Sequence, residues 1–304
     1  MTALSVIVCT LNPRADYFDR CLAALNAQTL PADQWELLLV DNASEPPLAP
    51  RLDLGWHPGS RIVREETLGL TPARLTGIAN ATSELLVLVD DDNVLEPDYL
   101  QTALEIAAAR PFLGAWSGQC RPVFETPPPD WTRLYWGALC IRSFDREAWS
   151  NLPRLAETMP AGAGLCIRRA VAAHYRHLHE TGARRFQLDR TGASLVSGGD
   201  NDLAACACEL GLGVGLIPSL KLDHLIAPQR LTVDYLERLV EGIEFSSTLL
   251  DAEWGQPTAP RNGLGRIADR LRIARLKAPH DRMLRAVHRG RDRAMRLLAE
   301  SDPS

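Results

Sequence analysis

The sequence predicts an α/β protein built on a mixed, mostly parallel sheet flanked by helices, and three observations carry that prediction. Continuous apolar runs of strand length recur at residues 3–9 (ALSVIVC), 36–40 (ELLLV) and 84–89 (ELLVLV), as strands buried on both faces do. Stretches of helical character lie between them, at 16–28 and 71–80, and strand–helix alternation at this spacing implies βαβ units. Each apolar run ends directly in polar residues, at the edge where open α/β sheets bind ligands.

The elements follow in order. The helix at 16–28 sets Phe18, Cys21, Leu22, Leu25 and Ala27 at helical spacing. A short strand at 61–63 fits before the helix at 71–80, whose Pro72 lies in the first turn, where a missing N–H loses no partner. Pro97 and Asp98 open a helix at 98–109. Residues 114–136 are aromatic and proline-rich, with Pro127, Pro128 and Pro129 in a row, and predict a loop or a sheet edge. Residues 160–170 pass from a glycine-rich loop through a strand into a helix. A helix at 201–210 follows Gly198 and Gly199, and 214–222 is strand-like. From 261 onward two amphipathic helical stretches flank Ala278 and Pro279, the first with Leu264, Ile267, Ala268, Leu271 and Ala274 on one face.

Composition narrows the class. A chain of 304 residues can bury a sizeable core, and 46% hydrophobic with 23% charged residues is ordinary for a globular protein. The formal net charge of −5 gives no nucleic-acid footprint for the chain as a whole. Yet residues 261–296 hold twelve Lys and Arg against Asp269, Asp281 and Asp292, so a basic tail follows an acidic body. The seven cysteines are odd in number and lack C-x-x-C spacing, which fits small buried side chains in a reducing compartment. No run of about 18 apolar residues could span a bilayer, and a strand begins within four residues of the start. The expected location is therefore cytoplasmic.

Five constellations could carry chemistry. Asp90, Asp91 and Asp92 follow the third apolar run, and adjacent carboxylates repel unless a hard cation such as Mn²⁺ or Mg²⁺ is shared among them; a solvated, helix-capping turn would look the same. Asp41 and Asn42 end the second run, where an Asp can bond a nucleoside or close an Asx turn. Thr10, Leu11 and Asn12 end the first run without the glycine-rich cradle of a dinucleotide or Walker loop, so a diphosphate bound there would need a metal. Asp200, behind Gly198 and Gly199, is either a helix cap or a general base, and the sequence offers no better-placed base. His224, after Asp223, is either structural or a metal ligand.

In this order the pieces resemble the family 2 glycosyltransferases of the GT-A fold, from about residue 4 to 230. The resemblance lies in SVIVCTLN with CLAALNAQT behind it, LLLVDNAS, GLTPARLTGI, LVLVDDDNVLEPDYL, AGAGLCIRR and GGDNDLA. It implies a GT-A domain over 1–230, with a Rossmann-like nucleotide-sugar half at 1–110 and an acceptor half at 111–230. A helical extension over 231–304, basic from 261, would follow. It implies that Thr10, Leu11, Asn12, Asp41 and Asn42 line the nucleoside pocket, Asp41 on the base, and that Gly69, Ala73 and Arg74 pack on nucleotide and diphosphate. Asp90 and Asp92 match the D-x-D pair, with Asp92 holding the metal, Asp90 and Asp91 contacting ribose or metal-bound water, and His224 reaching metal or diphosphate. Gly162, Ala163 and Gly164 match the loop beside donor sugar and acceptor, Gly199 and Asp202 flank that region, and Asp200 matches the base. Two departures stand out: Leu75 replaces a usual Asn, and Gly199 replaces a Glu that often precedes the base.

The implied reaction is a single displacement that inverts the anomeric centre, from a nucleotide-diphosphate sugar, UDP-linked by preference, to a hydroxyl of a glycan or lipid-linked acceptor. A sugar-1-phosphate nucleotidyltransferase would need a glycine-rich basic loop after the first strand, which Thr10 to Arg14 does not provide. A non-catalytic nucleotide-sugar-binding subunit would not need both Asp92 and Asp200. The basic tail at 261–296 either meets an anionic membrane surface or packs on the acidic body.

Overall fold

The computed structural model describes residues 2–184, 186, 188–192, 194–259 and 263–301. The strands are β1 (Leu4–Thr10), β2 (Trp35–Asn42), β3 (Ser60–Glu65), β4 (Leu85–Asp90), β5 (Asn93–Leu95), β6 (Leu113–Phe124), β7 (Ala148–Ser150), β8 (Leu165–Arg168) and β9 (Gly213–Ile226). The helices are α1 (Ala15–Asn26), α2 (Leu70–Asn80), α3 (Tyr99–Ala109), α4 (Arg169–Glu180), α5 (Gly199–Glu209), α6 (Val233–Glu253), α7 (Gly263–Arg275) and α8 (His280–Ser301). One sheet runs β3-β2-β1-β4-β8-β6-β9-β5, with β7 on β9. The first four strands are parallel, β8 is antiparallel to both neighbours, and β9 runs parallel to β6.

Alternation along the strands sorts the core onto the two faces of the sheet. Val6, Val8, Leu37, Leu39, Val87 and Val89 pack with Phe18, Leu22 and Leu25 of α1 and Leu100 and Ile106 of α3. Ile7, Leu38, Val40, Leu86 and Leu88 face Ala73 and Ile78 of α2, Val171 and Tyr175 of α4 and Leu203 of α5. Each such fully buried side chain is worth about 1.5–3 kcal/mol, which fixes the register of the strands whose ends carry the polar residues.

The loop or edge expected at 114–136 is corrected in its first part. Residues 113–124 form β6, an interior strand between β8 and β9. The glycines that read as punctuation are close-packing positions: a Cβ at Gly114 would lie 2.6 Å from that of Ala207, and Gly118 has no room for one against the Leu220 backbone, beside a register shift in the β6–β9 ladder. Ala115, Trp116 and Ser117 are fully buried. The three prolines do lie in irregular chain, ahead of a 3-10 stretch at Asp130–Leu139.

Two helices of the extension pack on this body. A third core joins Leu139 and Ile226 to Leu236 and Leu239 of α6 and Met283 and Ala286 of α8. The arginines of α8 are paired with acids of α6: Arg282 with Asp234 at 2.7 Å, Arg289 with Glu237 and Glu241 at 2.8 Å, and Arg291 with Glu244 at 2.7 Å. The tail is therefore not one basic surface: three of the α8 arginines, Arg282, Arg289 and Arg291, are neutralised by α6 within the fold. The start of the basic tail at 261 lies outside the described residues. Among the described residues no helix is long and apolar enough to cross a membrane.

Candidate active site

A cleft of about 340 Å³ opens at the polar ends of β1, β2 and β4 and is closed by the 162–163 loop, the 189–200 segment and β9. A groove of about 700 Å³ between α7 and α8 is lined by four arginines with Asp269, Asp292 and His288 among them, and holds none of the sheet-end residues. The residues that the sequence singles out at the strand ends lie in the smaller one.

The donor wall comes from the parallel strands. Thr10 and Leu11 end β1, Asn42 ends β2, and Gly69, Ala73 and Arg74 come from the start of α2; all line the cleft. Gly69 has φ 140° and its N–H donates to Asn42 Oδ1 at 2.9 Å, so the turn into α2 is tied to the end of β2. Asp90, Asp91 and Asp92 leave β4 together and line the cleft too. Thr10 Oγ1 donates to Asp91 Oδ2, and Asn93 Nδ2 donates to Asp92 Oδ1 at 3.0 Å. The β5–β9 register sets Asn93 opposite His224, within β9 rather than after a strand. His224 Nε2 lies 3.2 Å from Asp92 Oδ2, and Arg230 Nη1 stands 2.8 Å from the same oxygen and 2.9 Å from the ring nitrogen.

The three carboxyls differ in charge state as well as place. Burial, then repulsion from Asp92, pushes Asp91 up to about 7. Burial also raises Asp90, against the pull of Arg74. At Asp92 burial is outweighed by His224 and Arg230, which hold its carboxyl well below the usual range. The cluster thus combines one secure anion with two crowded ones, a donor set that suits a hard divalent cation. Among the described residues no group of three or more His, Cys, Asp and Glu side chains is assembled to hold a metal by itself. His224 Nδ1 and Arg230 Nε, both buried, have no partner.

The opposite wall holds Asp200 in the first turn of α5. Gly162 N–H donates to its Oδ2 at 2.8 Å and its own neighbour Asn201 N–H to Oδ1 at 2.9 Å. A Cβ at Gly162 would lie 2.8 Å from Asp200 Oδ2, so only glycine lets the loop approach this closely. Asp189, which the sequence did not single out, lines the cleft beside it. It accepts from buried Arg74 Nη1 at 3.0 Å and from Thr71 at 3.2 Å. Burial lifts its carboxyl to about 6 despite Arg74. Its carboxylate occupies the space that a Cβ at Gly199 would need.

Five expected residues do not reach the cleft lining. Asp41 has its oxygens engaged by the N–H groups of Ser44 and Leu48, each at 3.0 Å, and by Arg64 at 2.8 Å. Asn12 takes Ser44 and Glu45 as partners and frames the same turn. Gly164, at φ 67°, offers its carbonyl to Tyr99 at 2.6 Å behind the loop. Gly199 has Asp189 against its Cα. Asp202 is turned away, because two residues along a helix rotate a side chain by about 200°; it bonds Arg184 and Trp254, each at 3.0 Å. Leu75 packs on the apolar cluster beneath α2. Unforeseen lining residues include Arg190, Arg230 and Cys140. A hydrogen bond with Cys120 holds the Cys140 thiol down to about 7.

With this geometry in view, the relatives agree on a class: the profile of glycosyl transferase family 2 matches residues 5–159. The chain belongs to that family and has the GT-A fold. Glycosyltransferase AglE of Haloferax volcanii is 30% identical over 92 residues, which are 29% of this chain and 30% of that protein; the match spans less than a third of the relative's length. Among solved structures, S. aureus TarS 1–349 in complex with UDP-GlcNAc has a TM-score of 0.54 at 14% identity, covering 94% of this chain and 79% of that one. The mannosyltransferase PcManGT of Pyrobaculum calidifontis, in complex with GDP-Man and Mn²⁺, also has a TM-score of 0.54, at 19% identity, covering 99% and 76%.

Proposed function

We propose that this chain is a metal-dependent, inverting glycosyltransferase of polysaccharide or glycoconjugate biosynthesis. It moves a sugar from a nucleotide-diphosphate donor, UDP-linked by preference, to a hydroxyl of a glycan or lipid-linked acceptor. The observation that carries the reading is the facing of Asp90–Asp92 and Asp200 across one cleft. The division at residue 230 into catalytic domain and extension belongs to the same proposal.

Thr10, Leu11 and Asn42 receive the nucleoside, and Arg190 and Arg230 bring cations to the diphosphate. Asp92, with Asp90 and His224 beside it, would hold Mn²⁺ or Mg²⁺, which supplies charge neutralisation to the leaving diphosphate. Asp200 takes the proton from the acceptor hydroxyl while that oxygen attacks the anomeric carbon from the face opposite the nucleotide. The Gly162 N–H holds Oδ2, and the backbone N–H and side-chain amide of Asn201 hold Oδ1, which leaves Oδ2 a further lone pair for the proton. Asp189 supplies from a separate loop the second acid that Gly199 lacks, and Arg74 fixes it there.

Calorimetric titration of UDP with and without Mn²⁺, on wild type and Asp92→Ala, tests the donor site. Metal-dependent binding that the variant loses is the expected result. Failure of UDP, GDP and dTDP alike would leave a non-catalytic subunit as the better account. The anomeric configuration of the product, read by NMR at early times, tests inversion.

A further inference from the structure

We infer that α7 is a membrane-docking helix that seats the protein on an anionic lipid surface. The helix meets α8 through Ile273, its one buried residue. The opposite face carries Leu264, Ile267 and Leu271, spaced i, i+3 and i+7, and these are 79%, 54% and 57% exposed. An amphipathic helix ordinarily turns such a stripe to the core; here it faces out.

The charges around the stripe identify what covers it. Arg266, Arg270, Arg272, Arg275 and Lys277 are all exposed, and among the described residues none of them forms an ion pair with a carboxylate; Arg266 and Arg270 lie on the side of the groove toward α8. The one acid of the helix, Asp269, is turned to His288 of α8 at 3.6 Å. Leucine and isoleucine flanked by unneutralised arginine match the layering of an anionic bilayer, apolar chains under acidic headgroups. Three arginines of α8, Arg282, Arg289 and Arg291, are taken up by acids of α6, whereas Arg296 faces the groove beside α7.

The position also suits the cleft. The His280 ring that opens α8 is stacked on Tyr135 and bonded to its hydroxyl at 2.7 Å. The segment of Tyr135 carries Leu134, 78% exposed, and its last residue, Leu139, lines the cleft together with Cys140. The chain that leaves α7 thus reaches, at His280, the segment whose end lines the cleft.

Flotation of the full chain with vesicles tests this without reference to catalysis. Phosphatidylcholine vesicles containing phosphatidylglycerol should carry the protein up, and phosphatidylcholine alone should bind it at least about tenfold less. The triple variant Leu264→Ser, Ile267→Ser, Leu271→Ser should lose at least about tenfold in binding with its melting temperature kept, because the three side chains are already exposed. Arg282→Gln with Arg289→Gln should leave binding unchanged. Equal flotation of wild type and triple variant would overturn the proposal. So would a wild-type dimer in sedimentation that the triple variant abolishes while vesicle binding stays the same, since the stripe would then be a contact between copies.

Discussion

The two walls of the cleft use the same residue types to opposite ends. On the donor wall, three carboxylates crowd one strand end, and Asp92 is paired with Arg230 at 2.8 Å with the His224 ring beside it. On the base wall, Asp189 is paired with Arg74, which reaches across from α2, and the backbone approaches each acid at a glycine, Gly162 at Asp200 and Gly199 at Asp189. The first arrangement leaves anionic charge for a ligand cation to offset. The second is closed upon itself and keeps one carboxylate in a fixed pose. Placement of the cation, not the number of acids, is what separates the two walls.

The sharpest way to break this contrast is Asp200→Asn. Turnover should fall about a thousandfold, the range for a lost general base, with UDP affinity unchanged in calorimetry; a variant that lost UDP affinity instead would place Asp200 on the donor side. Next is Arg74→Met, which leaves Asp189 buried without its cation and should cost about 3 kcal/mol in urea denaturation. A loss within error would mean the base wall is solvated. Asp202→Asn removes the anion under Arg184 and should cost about 1–2 kcal/mol of stability with kcat untouched; a drop in kcat would return Asp202 to the site.

The smallest effect is one of pH. The folded Asp189 carboxyl titrates near 6, above its ordinary 3.8, so the folded form binds the extra proton between these values. Its contribution is complete below about pH 4 and is lost as pH rises through 6. Wild type should lose stability relative to Asp189→Asn across that window. Parallel curves would show that Arg74 already keeps the carboxylate ionised.

The donor wall was largely legible because its chemistry sits at the ends of contiguous apolar runs. Thr10, Asn42 and Asp90–Asp92 each follow a strand that periodicity alone locates, and α2 follows from its Pro72. The base wall was legible at Asp200 and at the Gly162–Ala163 loop beside it, but not at Asp189. Asp189 lies in irregular chain, and what brings it to the base is the missing side chain of Gly199, which from sequence looked like a lost acid. That glycine was the available signal: a vacated position beside a base invites a search for an acid elsewhere. Arg230 reaches Asp92 because a short 3-10 turn at Pro228–Leu231 reverses the chain after β9, a tertiary fact with no local signature. β6 was misjudged for a similar reason, since Gly114 and Gly118 answer to Ala207 and Leu220 rather than to their own neighbours.

The α6–α8 pair has a consequence for how the molecule comes apart. Ser246 of α6 donates to the Ser197 carbonyl at 2.8 Å, and Trp254, just past its end, bonds Asp202 at 3.0 Å, so α6 grips both the approach to the base and the helix that bears it. Leu139 is at once a wall of the cleft and part of the core that α6 and α8 complete. Undocking α8 would loosen α6, and with it the base, while the parallel strands stayed folded. On heating, then, the protein should fall silent before its sheet melts, its working life set by a pair of helices that lie outside the cleft lining.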